Sequence, residues 1–130
     1  MGTWGYGNFD NDTAADYADS FQDDPNETVL LETLAAVAAE GYPQDDEASE
    51  ALAAAEIIAA ALGKPVRGFP EDLLLSAKNL HLANPDAAQK LARRAIKAIL
   101  KKSELKELRE DADDYEAWLA LQDGLLERLA

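Results

Sequence analysis

The spacing of apolar residues is the feature that most constrains the fold of this chain. Alanine and leucine dominate, valine, isoleucine and threonine are scarce, and apolar residues recur every three or four positions rather than every second one. That interval places apolar side chains on one face of a helix, and alanine and leucine are strong helix formers. The sequence therefore predicts an all-α protein. Because 130 residues is a length typical of one domain, we expect a single helical domain over residues 1–130, a bundle of about six helices.

Capping residues and prolines predict where the first two helices begin. Asn11 or Asp12 can cap the first helix, which should end near Gln22. Asp24 is the predicted N-cap of the second helix, because Pro25 follows it at the first helical position and Glu27 lies three residues after it. This helix is expected to end at Gly41. The apolar positions expected on the inner face of the second helix are Val29, Leu30, Leu34, Val37 and Ala38.

The same signals continue along the rest of the chain. Gly63 predicts the end of the third helix, and Asn84 followed by proline predicts the start of the fifth. Ser103 can cap a short helix that reaches Arg109. The predicted later helices lie at about 45–62, 70–83, 85–102, 103–109 and from 115 onward.

The opening of the chain is the exception to the helical pattern. Its glycines disfavour a helix, and its aromatic side chains could anchor an irregular arm on the core. We expect Trp4 and Phe9 in the core, and Asn11 or Asp12 as the cap of the first helix. The structural motif comprises Trp4, Gly5, Gly7, Phe9, Asn11 and Asp12.

These opening residues also carry a family resemblance. The segment MGTWGYGNFDNDTAAD closely resembles the N-terminus of a bacterial family known only as domain of unknown function 4259, of the type M-G-x-W-G-x-G-x-F-x-N-D-x-A-x-D. Weaker similarity extends to the chain end, through residues 103–108 and Trp118 with its following leucines. Tyr6 and Tyr17 depart from the pattern, which has a small residue and a tryptophan there. The resemblance implies no activity, so no functional residues are carried over.

Charge is distributed unevenly along the chain. The formal net charge is -14. Residues 1–63 carry fourteen carboxylates and no lysine or arginine, whereas residues 64–109 carry eleven basic residues against five acidic ones. Such asymmetry can mark an interaction surface, or the two halves can neutralise each other inside the fold.

Two stripes of like charge stand out within these halves. Four aspartates at intervals of four, three and four positions share one face of the first helix, which we call the acidic face: Asp12, Asp16, Asp19 and Asp23. Like charges at this spacing disfavour a helix by a few tenths of a kcal/mol each, which favours a partner for the face. The fifth helix carries a basic face at the same intervals: Lys90, Arg94, Lys97 and Lys101. The two faces either pair within the chain or are solvated separately.

Residues with potential chemistry are few. Gly5 and Gly7 precede a helix, but the strand and lysine of a phosphate-binding loop are missing. Asp10 and Asp12 are weak candidates for an irregular calcium or magnesium site, with helix capping as the alternative. His81, expected in the fourth helix, is the only histidine, and the chain has no cysteine, so zinc sites of the common kind and disulfides are excluded.

The leading functional hypothesis is an acidic helical module that binds a macromolecule, in the manner of inhibitors or immunity-type proteins that meet basic partners. One alternative is a metal-dependent or enzymatic site at the arm and first helix, and another is a structural, self-associating module. We expect a basic protein as partner and no cofactor, and we assign no catalytic residue. The net charge opposes nucleic-acid binding despite the basic face. No apolar run is long enough for a membrane span, so we expect a cytoplasmic protein; the sequence gives no oligomeric state.

Overall fold

The computed structural model describes residues 5–130 and is all-helical. The described residues form seven helices, one at each of the seven segments predicted individually although the overall estimate was about six, and they contain no β-strand. The predicted position of Trp4 lies outside the described residues. The helices are α1 (Asp12–Asp23), α2 (Glu27–Ala39), α3 (Asp45–Ala61), α4 (Glu71–Asn79), α5 (Pro85–Lys101), α6 (Glu104–Glu110) and α7 (Tyr115–Arg128).

Helix α3 lies at the centre of the fold. Every residue from 51 to 60 is buried, and α3 contacts each of the other six helices. Alanine occupies most of these positions, and small side chains let neighbouring helix axes approach closely. One continuous hydrophobic core therefore surrounds α3, to which α1, α2, α4, α5 and α7 contribute their apolar faces.

Local capping chemistry sets three of the predicted helix starts. Asn11 Oδ1 accepts a hydrogen bond from the Ala14 amide at 2.8 Å. Asn84 caps α5 and Ser103 caps α6 in the same way, by accepting from the amide three residues ahead at 3.1 and 3.0 Å. Each cap satisfies an amide that has no partner within its helix.

The predicted start of α2 was wrong by two residues. Asn26, not Asp24, is the N-cap, and its Oδ1 accepts from the Thr28 amide at 2.8 Å. The Asp24 amide instead donates to Ser20 O and ends α1. Val29, expected on the inner face, is 46% exposed, because it lies about 100° around the helix from buried Leu30.

Helix α4 also ends earlier than predicted. It stops at Asn79, and Leu80 has the extended dihedral angles φ -73° and ψ 130°. In an extended segment successive side chains point to opposite sides. Leu82 is therefore buried while His81 is exposed and lies outside the helix in which it was expected.

Candidate functional site

The Asp10 carboxylate folds back over the glycines of the arm. Asp10 Oδ2 accepts from the Gly7 amide at 3.1 Å, and the Asp10 amide donates to Gly7 O at 3.0 Å. A Cβ atom added to Gly5 or Gly7 would lie only 2.7 or 2.6 Å from Asp10 Oδ2. A side chain at either position would therefore displace the Asp10 carboxylate. Phe9 is half-buried and meets the Phe69 ring edge-on at 5.4 Å, so it packs against the core rather than within it.

The arm offers little to a metal ion. Asp10 already uses one carboxylate oxygen to bind the Gly7 amide, and Asp12 is exposed at the first position of α1. Within residues 5–130, no three histidine, aspartate or glutamate side chains lie close enough together to hold a metal ion. The metal hypothesis for Asp10 and Asp12 thus has no third ligand in this part of the chain.

A buried polar network connects the arm to two helices. Asn8, Glu56 of α3 and Gln122 of α7 are all buried. Asn8 and Gln122 exchange amide hydrogen bonds of 2.8 and 3.1 Å, and Asn8 Nδ2 also donates to Glu56 Oε2 at 2.9 Å. Arg128 at the end of α7 completes the network, since its Nη1 donates to Glu56 Oε1 at 3.1 Å. Buried polar groups that are bonded in this way fix one arrangement of the elements that carry them.

Sequence reasoning missed all four residues of this network. Two features of the sequence could have identified Glu56 and Gln122. Glu56 is the only charged residue between Ala51 and Ala61, where the helix is otherwise apolar all round. Gln122 lies four residues after buried Trp118 and three before buried Leu125, which is the spacing of one buried helix face.

A cleft lies beside the arm, and we call it the N-terminal cleft. Its volume is about 510 Å³, within the range of roughly 300–1,000 Å³ that is usual for ligand pockets. The arm, the first turns of α1 and α3, and parts of α6 and α7 form its walls. The described lining residues are Gly5, Tyr6, Gly7, Asn8, Asn11, Asp12, Thr13, Asp45, Ser49, Leu52, Leu105, Leu108, Arg109 and Trp118.

Arg109 is the only basic side chain among those described lining residues. Its Nη2 lies 3.1 Å from Asp114 Oδ1, so its charge has a counter-ion. Its Nε is buried and has no hydrogen-bond partner within residues 5–130. On the α3 wall, the Glu104 carboxylate accepts from the Asp45 amide at 2.8 Å, which brings a second carboxylate beside that of Asp45.

Several carboxyl groups between the end of α2 and the first turns of α3 hold their protons more tightly than usual. A hydrogen bond with Glu47 raises the pKa of Glu40. Burial raises the pKa of Asp45, with Glu104 and Asp46 adding to the effect. Burial also raises the pKa of Glu50, to which Asp46 and Glu47 contribute. The acidic neighbours in each case indicate a negative potential at this end of the fold.

All four aspartates of the acidic face are exposed. Helix α1 packs against α3 and α4 through its opposite side, which carries the buried residues Ala14, Ala18 and Phe21. Three ion pairs join described residues, and none of them includes an aspartate of this face.

The basic face on α5 is exposed as well, and it lies apart from the acidic face. Helix α5 packs against α2, α3, α6 and α7, and no contact between α1 and α5 occurs in the described structure. Of the two alternatives left open by the sequence, the geometry therefore favours separate solvation over pairing within one chain.

His81 lines a second, open cleft of about 670 Å³ between the start of α2 and the end of α4. Pro25, Glu27 and Leu75 also contribute to its walls. Glu27 accepts from the Ala83 amide at 3.0 Å, so its carboxylate closes the turn that follows α4.

Comparison with known proteins identifies the family. The model of the family described as "Domain of unknown function (DUF4259)" matches residues 2–120, so the chain belongs to this family. No curated protein and no solved structure matches the chain. Among the described residues, no helix combines the length and the apolar character that crossing a membrane requires.

Proposed function

We propose that this member of the family is a protein-binding module that meets a basic protein partner through the acidic face of α1. The observation that carries the proposal is the exposure of Asp12, Asp16, Asp19 and Asp23 on a helix that has no contact with the basic face of α5. Four carboxylates that repel one another remain available to an external cation. A partner with complementary charge would relieve that repulsion on binding.

The surroundings of α1 support the same conclusion. The chain has no lysine or arginine before Lys64, so all the ionised side chains of α1, α2 and α3 are acidic. The raised pKa values of Asp45 and Glu50 reflect acidic neighbours as well as burial. A negative field that extends beyond α1 attracts a basic partner over roughly one Debye length, about 8 Å at physiological salt, and so accelerates association.

A peptide of ten lysines provides a defined basic probe for this face. The test variant converts the acidic face to neutral amides: Asp12→Asn, Asp16→Asn, Asp19→Asn and Asp23→Asn. The matched control removes the same formal charge from exposed positions near or on α7: Asp113→Asn, Glu116→Gln, Asp123→Asn and Glu127→Gln. Both variants have the same net charge, so a difference between them reports the position of the carboxylates rather than their number.

Fluorescence anisotropy at low and high salt measures the binding of this peptide. We expect the wild-type protein to bind at low salt and to weaken as salt rises, and we expect about a tenfold lower affinity for the α1 variant, while the α7 control stays close to wild type. Equal affinity of the two variants, or binding that is insensitive to salt, would contradict the proposal. Capture from native lysate with the three proteins as baits should then yield a basic protein that only the α1 variant fails to retain.

A further inference from the structure

We infer that the N-terminal cleft receives one cationic side chain, an arginine or lysine, of the basic partner. This inference rests on the proposed function and adds an anchoring pocket to the acidic face. Asp12 connects the two features, because it belongs to the acidic face and also lines the cleft. A segment of the partner that lies along α1 can therefore place one basic residue in the cleft while its other basic residues contact the exposed aspartates.

The charges in the cleft favour a cation. Asp12 and Asp45 are the two acidic residues among the described lining residues, and the Glu104 carboxylate lies beside Asp45, at 2.8 Å from its amide. Arg109 supplies the one positive charge among the described lining residues, and Asp114 balances it. The excess negative charge is thus on the side formed by the first turns of α1 and α3.

The raised pKa of Asp45 also favours a cation in the cleft. Partial burial and the nearby carboxylates make its ionised form less favourable, as its raised pKa shows. A guanidinium or ammonium group in contact with Asp45 would favour ionisation and lower that pKa. Binding of a cation should therefore release protons from the protein at mildly acidic pH.

The apolar parts of the cleft match the stem of a long basic side chain. Leu108 on α6 is 54% exposed and Tyr6 on the arm is 42% exposed, although both are large apolar residues. Leu52 and Trp118 are buried and line the cleft between the arm and α6. Lysine and arginine bury their methylene stems on apolar surface while the charged head reaches polar groups, and an aromatic ring such as that of Tyr6 attracts a cation.

A pair of small ligands isolates the charge in this recognition. Nα-acetylargininamide carries the guanidinium, whereas Nα-acetylcitrullinamide has nearly the same shape and no charge. Titration of the full-length, ¹⁵N-labelled chain with each ligand reports affinity and location by NMR. We expect the arginine ligand to bind with a dissociation constant of roughly 10 mM, the scale set by one cation–π contact and two partly exposed ion pairs, and to shift amides near Tyr6, Asp45 and Leu108. The citrulline ligand should bind at least about tenfold more weakly.

Two single variants test the residues named here. Asp45→Asn should weaken binding of the arginine ligand by about threefold to fivefold, and Asp123→Asn, which removes an exposed carboxylate of α7, is the matched control and should leave the affinity unchanged. Leu108→Ala changes an exposed side chain, so it should fold, and it should weaken binding several-fold through the lost contact with the stem. If circular dichroism shows that Asp45→Asn does not fold, the affinity of Leu108→Ala for the arginine ligand is the deciding measurement.

The outcomes separate this inference from the proposed function. Equal binding of the two ligands, shifts confined to other surfaces, or unchanged affinity in Leu108→Ala would overturn the cleft assignment. If the ten-lysine peptide binds through α1 but the arginine ligand does not enter the cleft, the proposed function stands and the inference fails. If the arginine ligand enters the cleft but the α1 substitutions do not change the affinity for the ten-lysine peptide, the proposed function fails. The inference that the cleft receives a side chain of the partner then fails as well.

Discussion

Glu56 of α3 and Arg128 of α7 form an ion pair in which only one member is buried. Arg128 Nη1 and Nη2 lie 3.1 and 3.4 Å from the two Glu56 oxygens, and Glu56 is 1% exposed whereas the Arg128 side chain is 21% exposed. Arg128 Nη1 also donates to Lys64 O at 3.0 Å. The guanidinium therefore joins the last turn of α7 to the central helix and to the segment that follows it.

Replacing Arg128 by methionine should destabilise the fold more than any other substitution of a charged surface residue. The change leaves the Glu56 carboxylate buried with Asn8 as its one remaining partner among residues 5–130, and loss of one member of a buried pair costs about 3–5 kcal/mol. We expect a value near the lower end, because the partial exposure of Arg128 lets water reach the site. Urea denaturation measures the free energy of unfolding.

The matched control for this substitution is Arg67→Met, at an exposed position, which should change the free energy of unfolding by less than about 0.5 kcal/mol. Glu56→Gln combined with Arg128→Met removes the buried charge and should recover part of the loss. A double variant no more stable than Arg128→Met alone would show that the charge of Glu56 is not the cause.

Gly7→Ala should be destabilising because of Asp10 rather than because of the backbone. The added methyl group would lie 2.6 Å from Asp10 Oδ2, so the carboxylate would have to move and give up its hydrogen bond with the Gly7 amide. Loss of that bond and the resulting strain should cost about 1–3 kcal/mol. In an Asp10→Ala background the same glycine substitution should cost much less.

A double-mutant cycle with thermal or urea unfolding gives the coupling between these two positions. Gly41→Ala is the control, since nothing lies within 4 Å of a Cβ added there. Additive effects of Gly7→Ala and Asp10→Ala would rule out the close approach as the reason for this glycine.

The two candidate caps of α2 should respond differently to alanine. Asn26→Ala removes the acceptor of the Thr28 amide and should cost about 1 kcal/mol of stability, as N-cap substitutions commonly do. Asp24→Ala removes a carboxylate from the C-terminal end of α1, where negative charge is unfavourable, so it should be neutral or slightly stabilising. The midpoint of urea denaturation distinguishes them, and a larger loss for Asp24→Ala would restore the cap that the sequence predicted.

Three helix starts that depend on neighbours in sequence were predictable. Asn11, Asn84 and Ser103 cap their helices because the acceptor and the free amide are three residues apart, a distance visible in the sequence. The end of α4 was not predictable from the same signals. There Leu82 belongs to the hydrophobic core, whose other members are mostly distant in sequence, so no local signal marks the end of the helix.

Among the candidate sites, the one that depends on local periodicity was predictable, and those that join distant residues were not. Periodicity alone predicted that four aspartates share one face of α1, and their exposure agrees with it. The network of Asn8 and Gln122 joins residues separated by 114 positions, so no local pattern could pair them. The N-terminal cleft likewise forms only where five segments of the chain meet. No local pattern in the sequence predicts that Asp45 lies beside Glu104.

Acidification should initially stabilise this protein, and Glu50→Gln should weaken that effect. Burial and the neighbouring Asp46 and Glu47 raise the pKa of Glu50 above its ordinary value of 4.5. Between that value and the raised one the folded state binds more protons than the unfolded state, so the free energy of unfolding falls as pH rises through this window. The contribution is fully present below pH 4.5 and is lost above the raised pKa, and Asp45 and Glu40 act in the same direction.

Urea denaturation at several pH values between 7 and 4.5 measures this dependence. Glu50→Gln removes a partly desolvated charge, so the variant should be more stable than wild type near pH 7 and should show a shallower pH dependence. Glu116→Gln removes an exposed carboxylate from α7 and should leave the slope as it is in wild type. Equal flattening by both substitutions would mean that the slope reflects the net charge of the whole chain, whereas flattening by Glu50→Gln alone would locate it in the carboxylates at the start of α3.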